Sequence, residues 1–157
     1  MNITYKERLL LMKDKGQQNI KHLKRFYAAA SRGELEIVRG TLAAEVEWVE
    51  PSLPDVWFSG THRGPEAVIN EVLTPATDKL QKFRLKIKEF FAVGNHVIAI
   101  GRIHGWGVGT GRELDAAVAH LWTLQDGKAV RVQAFHDPNA WQGVVAQAQP
   151  EAQRMAA

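Results

Sequence analysis

The residues best suited to chemistry are acids and histidines that stand at strand ends. In "EVEWVEP", residues 45–51, strand alternation puts Val46, Trp48 and Glu50 on one face and Glu45, Glu47 and Val49 on the other. An apolar face therefore finishes in a carboxylate, and Pro51, which lacks a ladder donor, stops the strand there. Glu50 is either a hydrated strand end or an acid buried against Trp48 and Val46, and in the second case it is a candidate general base. His136, in "AVRVQAFHD", is a second candidate: an acid or electrophile facing Glu50 across a pocket, or a satisfied histidine at a strand end. Asp115 is a third, at the start of a strand that follows a glycine-rich turn. Asp137 should point away from its neighbour His136, which argues against a dyad of the two.

Other chemistries find little support. The six histidines show neither H-x-H nor H-E-x-x-H spacing, so no metal site is expected. The absence of cysteine excludes disulfides, thiolate nucleophiles and Cys-based zinc or iron–sulfur sites. "GWGVGTG" contains no G-x-G-x-x-G and joins two strands, so it reads as a turn with a bulge and not as a phosphate loop. No serine sits in a nucleophile elbow. His62, in "GTHRG", is expected in a hydrated loop.

A chain of 157 residues, 45% hydrophobic and 24% charged, fits one globular domain. Its pI of about 9.3 invites a nucleic-acid reading. The positive charge, however, is concentrated at the start: residues 1–25 hold seven basic and two acidic residues, a net +5, against −2 for the rest of a chain whose total is +3. A basic leader on a slightly acidic body lacks the basic stripe interleaved with aromatics of a nucleic-acid platform, so a nucleic-acid partner is disfavoured. The apolar run "LLLM" near the start is too short for a signal segment or a membrane span, which leaves a cytoplasmic location as the default.

The elements that must position the candidates follow from periodicity. Residues 1–16 read as a basic leader helix, 17–148 as the single domain, and 149–157 as a frayed tail. Ile20, Leu23, Phe26, Tyr27 and Ala30 fall at helical spacing over 17–32, with Gly33 as the stop, and a short helix follows over 34–42. After the first strand and a loop, "PSLPDVWFSGTHRG", Pro65 opens the helix "PEAVINEVL". From about residue 82 the period changes to two. "FRLKIKEFF" slips register at Glu89, as a bulge would require, and three further strands follow, the last two joined by a turn at Asp126 and Gly127. Helices before, long antiparallel strands after and one short helix, "NAWQGVVAQ", at the end make an α+β fold, in the order α-α-β-α-β-β-β-β-(α).

Counting back from that two-residue turn pairs Leu121 with Val132, Ala119 with Ala134 and Ala117 with His136. One face of the last hairpin is then small and apolar, with Asp115 and His136 near one end, and a helix laid across it would enclose a pocket. The opposite face, with His120, Trp122, Arg131, Gln133 and Phe135, reads as a subunit interface, hence a homodimer.

With "FYAAASRGELE" followed by "VEWVEP" and closed by "HLWTLQDGKAVRVQAFHD", residues 18–145 resemble the NTF2-like superfamily, in particular ketosteroid isomerase and the SnoaL-like polyketide cyclases. The resemblance implies a cone in which a strongly bent, mostly antiparallel sheet wraps around helices, with a hydrophobic pocket inside and a dimer across the sheet. Seventeen positions beyond Gly33, where the isomerases carry their general-base aspartate before a proline, this chain has Glu50 before Pro51. The isomerase tyrosine that donates to the oxyanion falls on Phe26, and its protonated aspartic acid on Ala119, so both donors are missing. An apolar position of the isomerase pocket matches Asp115 and an aromatic one His136.

The implied function is cofactor-free acid/base chemistry, isomerase or cyclase in kind, on a hydrophobic carbonyl or cyclic small molecule. Glu50, His136 and Asp115 would be the catalytic groups, and Phe26, Trp48, Trp57, Phe58, Ala117, Ala119, Leu121, Val132 and Ala134 the pocket wall. The alternative is a protein of the same fold that binds a hydrophobic ligand, or dimerises, without turnover.

Overall fold

The computed structural model describes residues 2–146, so the tail expected over 149–157 lies outside the described residues. A single helix, α1, runs from Tyr5 to Arg32 and takes in the segment expected as a separate leader. It starts early because Thr4 and Glu7 form a reciprocal cap: the Thr4 side chain accepts from the Glu7 amide, and the Glu7 carboxylate accepts from the Thr4 amide at 2.7 Å. It stops where Gly33 adopts φ 70°, returning its amide to the carbonyls of Ala29 and Ala30. Asn19, Leu23, Phe26 and Ala29 form its buried face, while Leu9, Leu10, Leu11 and Met12 are exposed.

After α2 (Leu35–Thr41) come β1 (Leu42–Glu50) and β2 (Gly60–Arg63). The strand β2 replaces the last part of the expected loop, pairs antiparallel with β1 and makes a sixth strand where the sequence-based order has five. Next, α3 (Pro65–Ala67) continues into a π-helical turn, Val68–Leu73, and Pro75 opens α4 (Pro75–Lys79). The long strands β3 (Leu80–Val93), β4 (His96–Gly107), β5 (Glu113–Gln125) and β6 (Lys128–His136) lead to a short α5 (Pro138–Trp141). One six-stranded sheet has the order β2-β1-β6-β5-β4-β3, antiparallel except where β1 runs parallel to β6. The N-terminal helices and this curved mixed sheet form the expected α+β arrangement.

The core lies between α1 and the inner sheet face. Three lateral rows build that face. His62, Trp48, Val132, Trp122, Val97 and Ala92 are successive partners across all six strands. Ala134, His120, Ala99 and Phe90 make the next row, and His136, Val118, Gly101 and Ile87 the third.

The face expected inside on β5 is outside. Leu114, Ala116, Val118, His120, Trp122 and Leu124 are buried, whereas Asp115 and Ala117 are exposed and Ala119 and Leu121 half-exposed. Two causes combine. The face carrying Leu114, Val118, Trp122 and Leu124 removes more apolar area from water than the one carrying Ala117, Ala119 and Leu121. And the hairpin register is not continuous: Leu124 pairs with Ala129 but Thr123 with Arg131, which leaves Val130 as a bulge residue. That single extra residue sets Val132 opposite Trp122, Ala134 opposite His120 and His136 opposite Val118. His120 and Trp122 are therefore core residues and not part of an outer interface, while Arg131, Gln133 and Phe135 do face outward beside Ile98 and Ile100.

The bulge expected near Glu89 is present, as pairing passes from Ile87 with Gly101 to Glu89 with Ile100. It brings backbone so close to Gly101 that a Cβ there would lie 2.1 Å from the Lys86 carbonyl oxygen. Gly101→Ala is expected to destabilise the protein by about 1–3 kcal/mol, the usual range for overpacking, read as a lower urea midpoint at unchanged slope.

Candidate functional site

At the end of β1, Glu50 is buried with its side chain 3% exposed, and the His136 side chain at the end of β6 is 4% exposed. Parallel pairing of β1 with β6 brings the two ends together. His136 Nε2 meets Glu50 Oε2 at 2.9 Å, and the Trp48 indole N–H donates to Glu50 Oε1 at 2.6 Å. Trp48 can do this because residues i and i+2 of a strand share a face. Each carboxylate oxygen thus has one donor, and acceptor capacity remains on both. Glu50 and His136 touch on one wall; they do not face each other across a gap.

An aromatic cluster seals His136. The Phe58 ring stacks on it at 4.9 Å, Trp141 of α5 packs edge-on against both rings, and Trp57 packs on Phe58 and Trp141 while donating its indole N–H to the Val72 carbonyl at 2.9 Å. His136 Nδ1 is buried with no partner among the described residues, so the ring presents only Nε2 to a polar group. The loop that delivers Phe58 is tied down by His62, which is buried and not hydrated as expected: its Nδ1 lies 2.6 Å from Glu71 Oε2 and its Nε2 2.7 Å from the Phe58 carbonyl. Both ring nitrogens are thus engaged, one by a carboxylate and one by a backbone carbonyl.

These groups wall a cavity of about 460 Å³ whose lining also includes Phe26 and Ile103 and the solvent-exposed Thr77, Arg84 and Lys86. Among the residues expected in its wall, Phe26, Trp48, Trp57 and Phe58 line it. Val132 and Ala134 are buried in the inner sheet face beside Trp122 and His120. Ala117, Ala119 and Leu121 are on the outer face, for the register reason above. Asp115 is there too, exposed, bonded to Arg102 at 2.8 Å, and that guanidinium holds its carboxyl below the usual range. From the outer face it does not reach the cavity that Glu50 lines.

Sequence reasoning missed a second polar cluster in the same cavity. Tyr27 Oη lies 2.6 Å from His120 Nδ1 and accepts the Trp122 indole N–H at 2.8 Å. Tyr27 and His120 each directly follow a position, Phe26 and Ala119, where the resemblance expected an oxyanion donor and found none. The signal was present one residue along at both places; what hid it was the face assignment of β5. Burial, with a smaller contribution from His136, pushes the His120 pKa down from 6.5 to about 3, and burial raises that of Tyr27 well above its ordinary value. Both groups are neutral at physiological pH.

Among the described residues no cluster of three or more His, Asp or Glu could hold a metal ion, and no helix is long and apolar enough to cross a membrane.

The fold and the cavity define an NTF2-like protein, and comparison with known proteins agrees. A family model described as SnoaL-like domain matches residues 23–132, and the chain belongs to that family. An NTF2-like protein of unknown function from Burkholderia pseudomallei is 24% identical, with a TM-score of 0.74 over 82% of this chain and 98% of that one. TerC, crystallised with polyporic acid, is 27% identical, with a TM-score of 0.72 over 81% and 97% of the two chains. A candidate SnoaL-like polyketide cyclase from Jannaschia sp. CCS1 is 19% identical, with a TM-score of 0.71 over 86% and 95%. Curated proteins contain no match to the sequence.

The low pKa of His120 has a consequence for stability. Below pH 6.5 the unfolded chain binds a proton at this ring that the folded chain does not bind until about pH 3, so stability falls as pH drops through that window. One proton corresponds to about 1.4 kcal/mol per pH unit. Urea unfolding of wild type between pH 6.5 and 5 should show a steeper loss than His120→Gln by about that slope, whatever the variant's baseline stability.

Proposed function

We propose that the protein is a small-molecule enzyme of the SnoaL-like kind in which Glu50 removes a proton from a carbon next to the carbonyl of a hydrophobic, cyclic substrate. The buried Glu50, held by Trp48 and His136 in the wall of an apolar cavity, carries this reading. A carboxylate removed from bulk water and held in one orientation is suited to proton abstraction. His136 acts as a positioning residue: its Nε2 engages Glu50 and its Nδ1 is sealed from the cavity. The aromatic walls, Trp48, Phe26, Phe58 and Trp141, suit a flat apolar substrate. The family match and the 27% identical TerC, crystallised with polyporic acid, support a small organic ligand in this fold. Asp115 has no part in this mechanism.

The test is deuterium exchange from D2O into 2-tetralone, followed by proton NMR. Wild type should accelerate exchange, and Glu50→Gln should lower the rate at least about a hundredfold, the scale of a lost general base, while leaving the binding of 2-tetralone within a few fold. Equal exchange by both proteins, with binding intact, would leave the alternative of a ligand-binding protein without turnover.

The proposal includes a homodimer, formed through the outer sheet face where Ile98, Ile100 and Phe135 stand exposed beside Leu121. Phe135→Glu combined with Ile100→Glu should convert a dimer to a monomer in light scattering; a wild type that is already monomeric would refute it.

A further inference from the structure

The cavity has two polar stations, and the second has a free hand. Tyr27 Oη accepts the Trp122 N–H, so its own hydrogen is available for His120 Nδ1, 2.6 Å away. A phenol is a stronger acid than a neutral imidazole N–H, and an imidazole lone pair a stronger base than a phenol oxygen. The hydrogen therefore runs from Oη to Nδ1, and the proton of the neutral ring resides on Nε2. The reverse arrangement would leave the Tyr27 hydrogen without a partner among the described residues. His120 lines the cavity, and its Nε2 has no partner among the described residues. Trp48 separates the two stations: its N–H goes to Glu50, and its ring packs edge-on against the His120 ring at 5.6 Å.

We infer that His120 Nε2–H is the fixed, neutral hydrogen-bond donor of the cavity, and that it holds the carbonyl oxygen of the substrate that Glu50 deprotonates. The inference rests on the proposed function and specifies its substrate class: a cyclic, largely apolar molecule with an acceptor oxygen placed to reach one side of Trp48 and an acidic C–H to reach the other. In the step, the substrate C–H proton passes to the Glu50 carboxylate. The C–H electron pair becomes the enolate, whose negative charge on oxygen is met by the His120 N–H. His120 transfers no proton; a neutral imidazole serves as donor because its partner network leaves it no other state near neutrality. Tyr27 is the positioning residue that selects the tautomer, and Trp122 in turn orients Tyr27.

The experiment uses protein labelled with nitrogen-15 in its histidine rings and 2-naphthol as a stable mimic of the enol, with binding followed independently by tryptophan fluorescence. His120 is assigned through His120→Gln. The resting protein should show His120 as the Nε2–H tautomer across neutral pH, and bound 2-naphthol should shift that Nε2 signal. Tyr27→Phe should move the ring toward the Nδ1–H tautomer and weaken 2-naphthol binding about tenfold, the scale of one lost hydrogen bond. A role for Tyr27 in packing alone would not change the tautomer. Glu50→Gln should leave the naphthol-induced shift intact, so a failed general base and a failed donor give different results. An Nδ1–H tautomer in the wild type, no binding of 2-naphthol, or bound 2-naphthol that leaves the His120 Nε2 signal unmoved would each overturn the inference.

Discussion

The structure depends on how a carboxylate is kept inside an apolar fold. Removing the Glu50 charge from water without partners would cost several kcal/mol, and both of its oxygens have a donor. One donor, Trp48, is local, two residues back on the same strand face. The other, His136, is 86 residues away and reaches Glu50 only because β1 and β6 run parallel with their C-terminal ends side by side. That pairing places β6 in the middle of the sheet, with β5, β4 and β3 beyond it. The aromatic cover of Phe58 and Trp141 then shields the His136 side of the pair from water, which strengthens its hydrogen bond to Glu50 and makes breaking it more costly.

Trp48, Trp122 and Phe26 form the partition on which both polar stations lean. Their rings pack at 4.9 to 6.2 Å from one another in edge-on or tilted geometry. Each indole N–H points to one station: Trp48 to Glu50, Trp122 to Tyr27. Large aromatics with one polar handle solve two problems at once here, filling the core and supplying the donors that buried polar groups need. The result is a cavity with an acceptor on one side of Trp48 and a neutral hydrogen-bonded pair on the other. His62 plays a comparable part outside the cavity, fixing the loop from which Phe58 covers His136.

Much of this was legible in the sequence, because the relevant signals are local. Alternation and a following proline put Glu50 at a strand end beside Trp48. Helical spacing and Gly33 set the C-terminal end of α1, and the slipped register at Glu89 marked a real bulge. Asp126 and Gly127 marked the last turn. The leader over 1–16 reads as a helix of its own, and its continuity with the helix over 17–32 was missed although Thr4 and Glu7 spell a capping box, since the exposed apolar residues that follow do not repeat at a core-facing period.

The chain by itself determined which residues share a face, where α1 and β1 stop, and that an acid would close an apolar strand, since these follow from backbone geometry over a few residues. Only the tertiary structure decided which face of β5 is inside. Both faces carry apolar residues, and Val130, as good a strand residue as its neighbours, gives no sign that it is the bulge. One unpaired residue there set His120 and Trp122 inward, left Asp115 outside with Arg102, and let Tyr27 meet His120 from a helix 93 residues earlier. Such contacts are settled by which arrangement buries the most apolar area while leaving the fewest polar groups unpaired, a sum over the whole molecule that no short stretch of sequence contains.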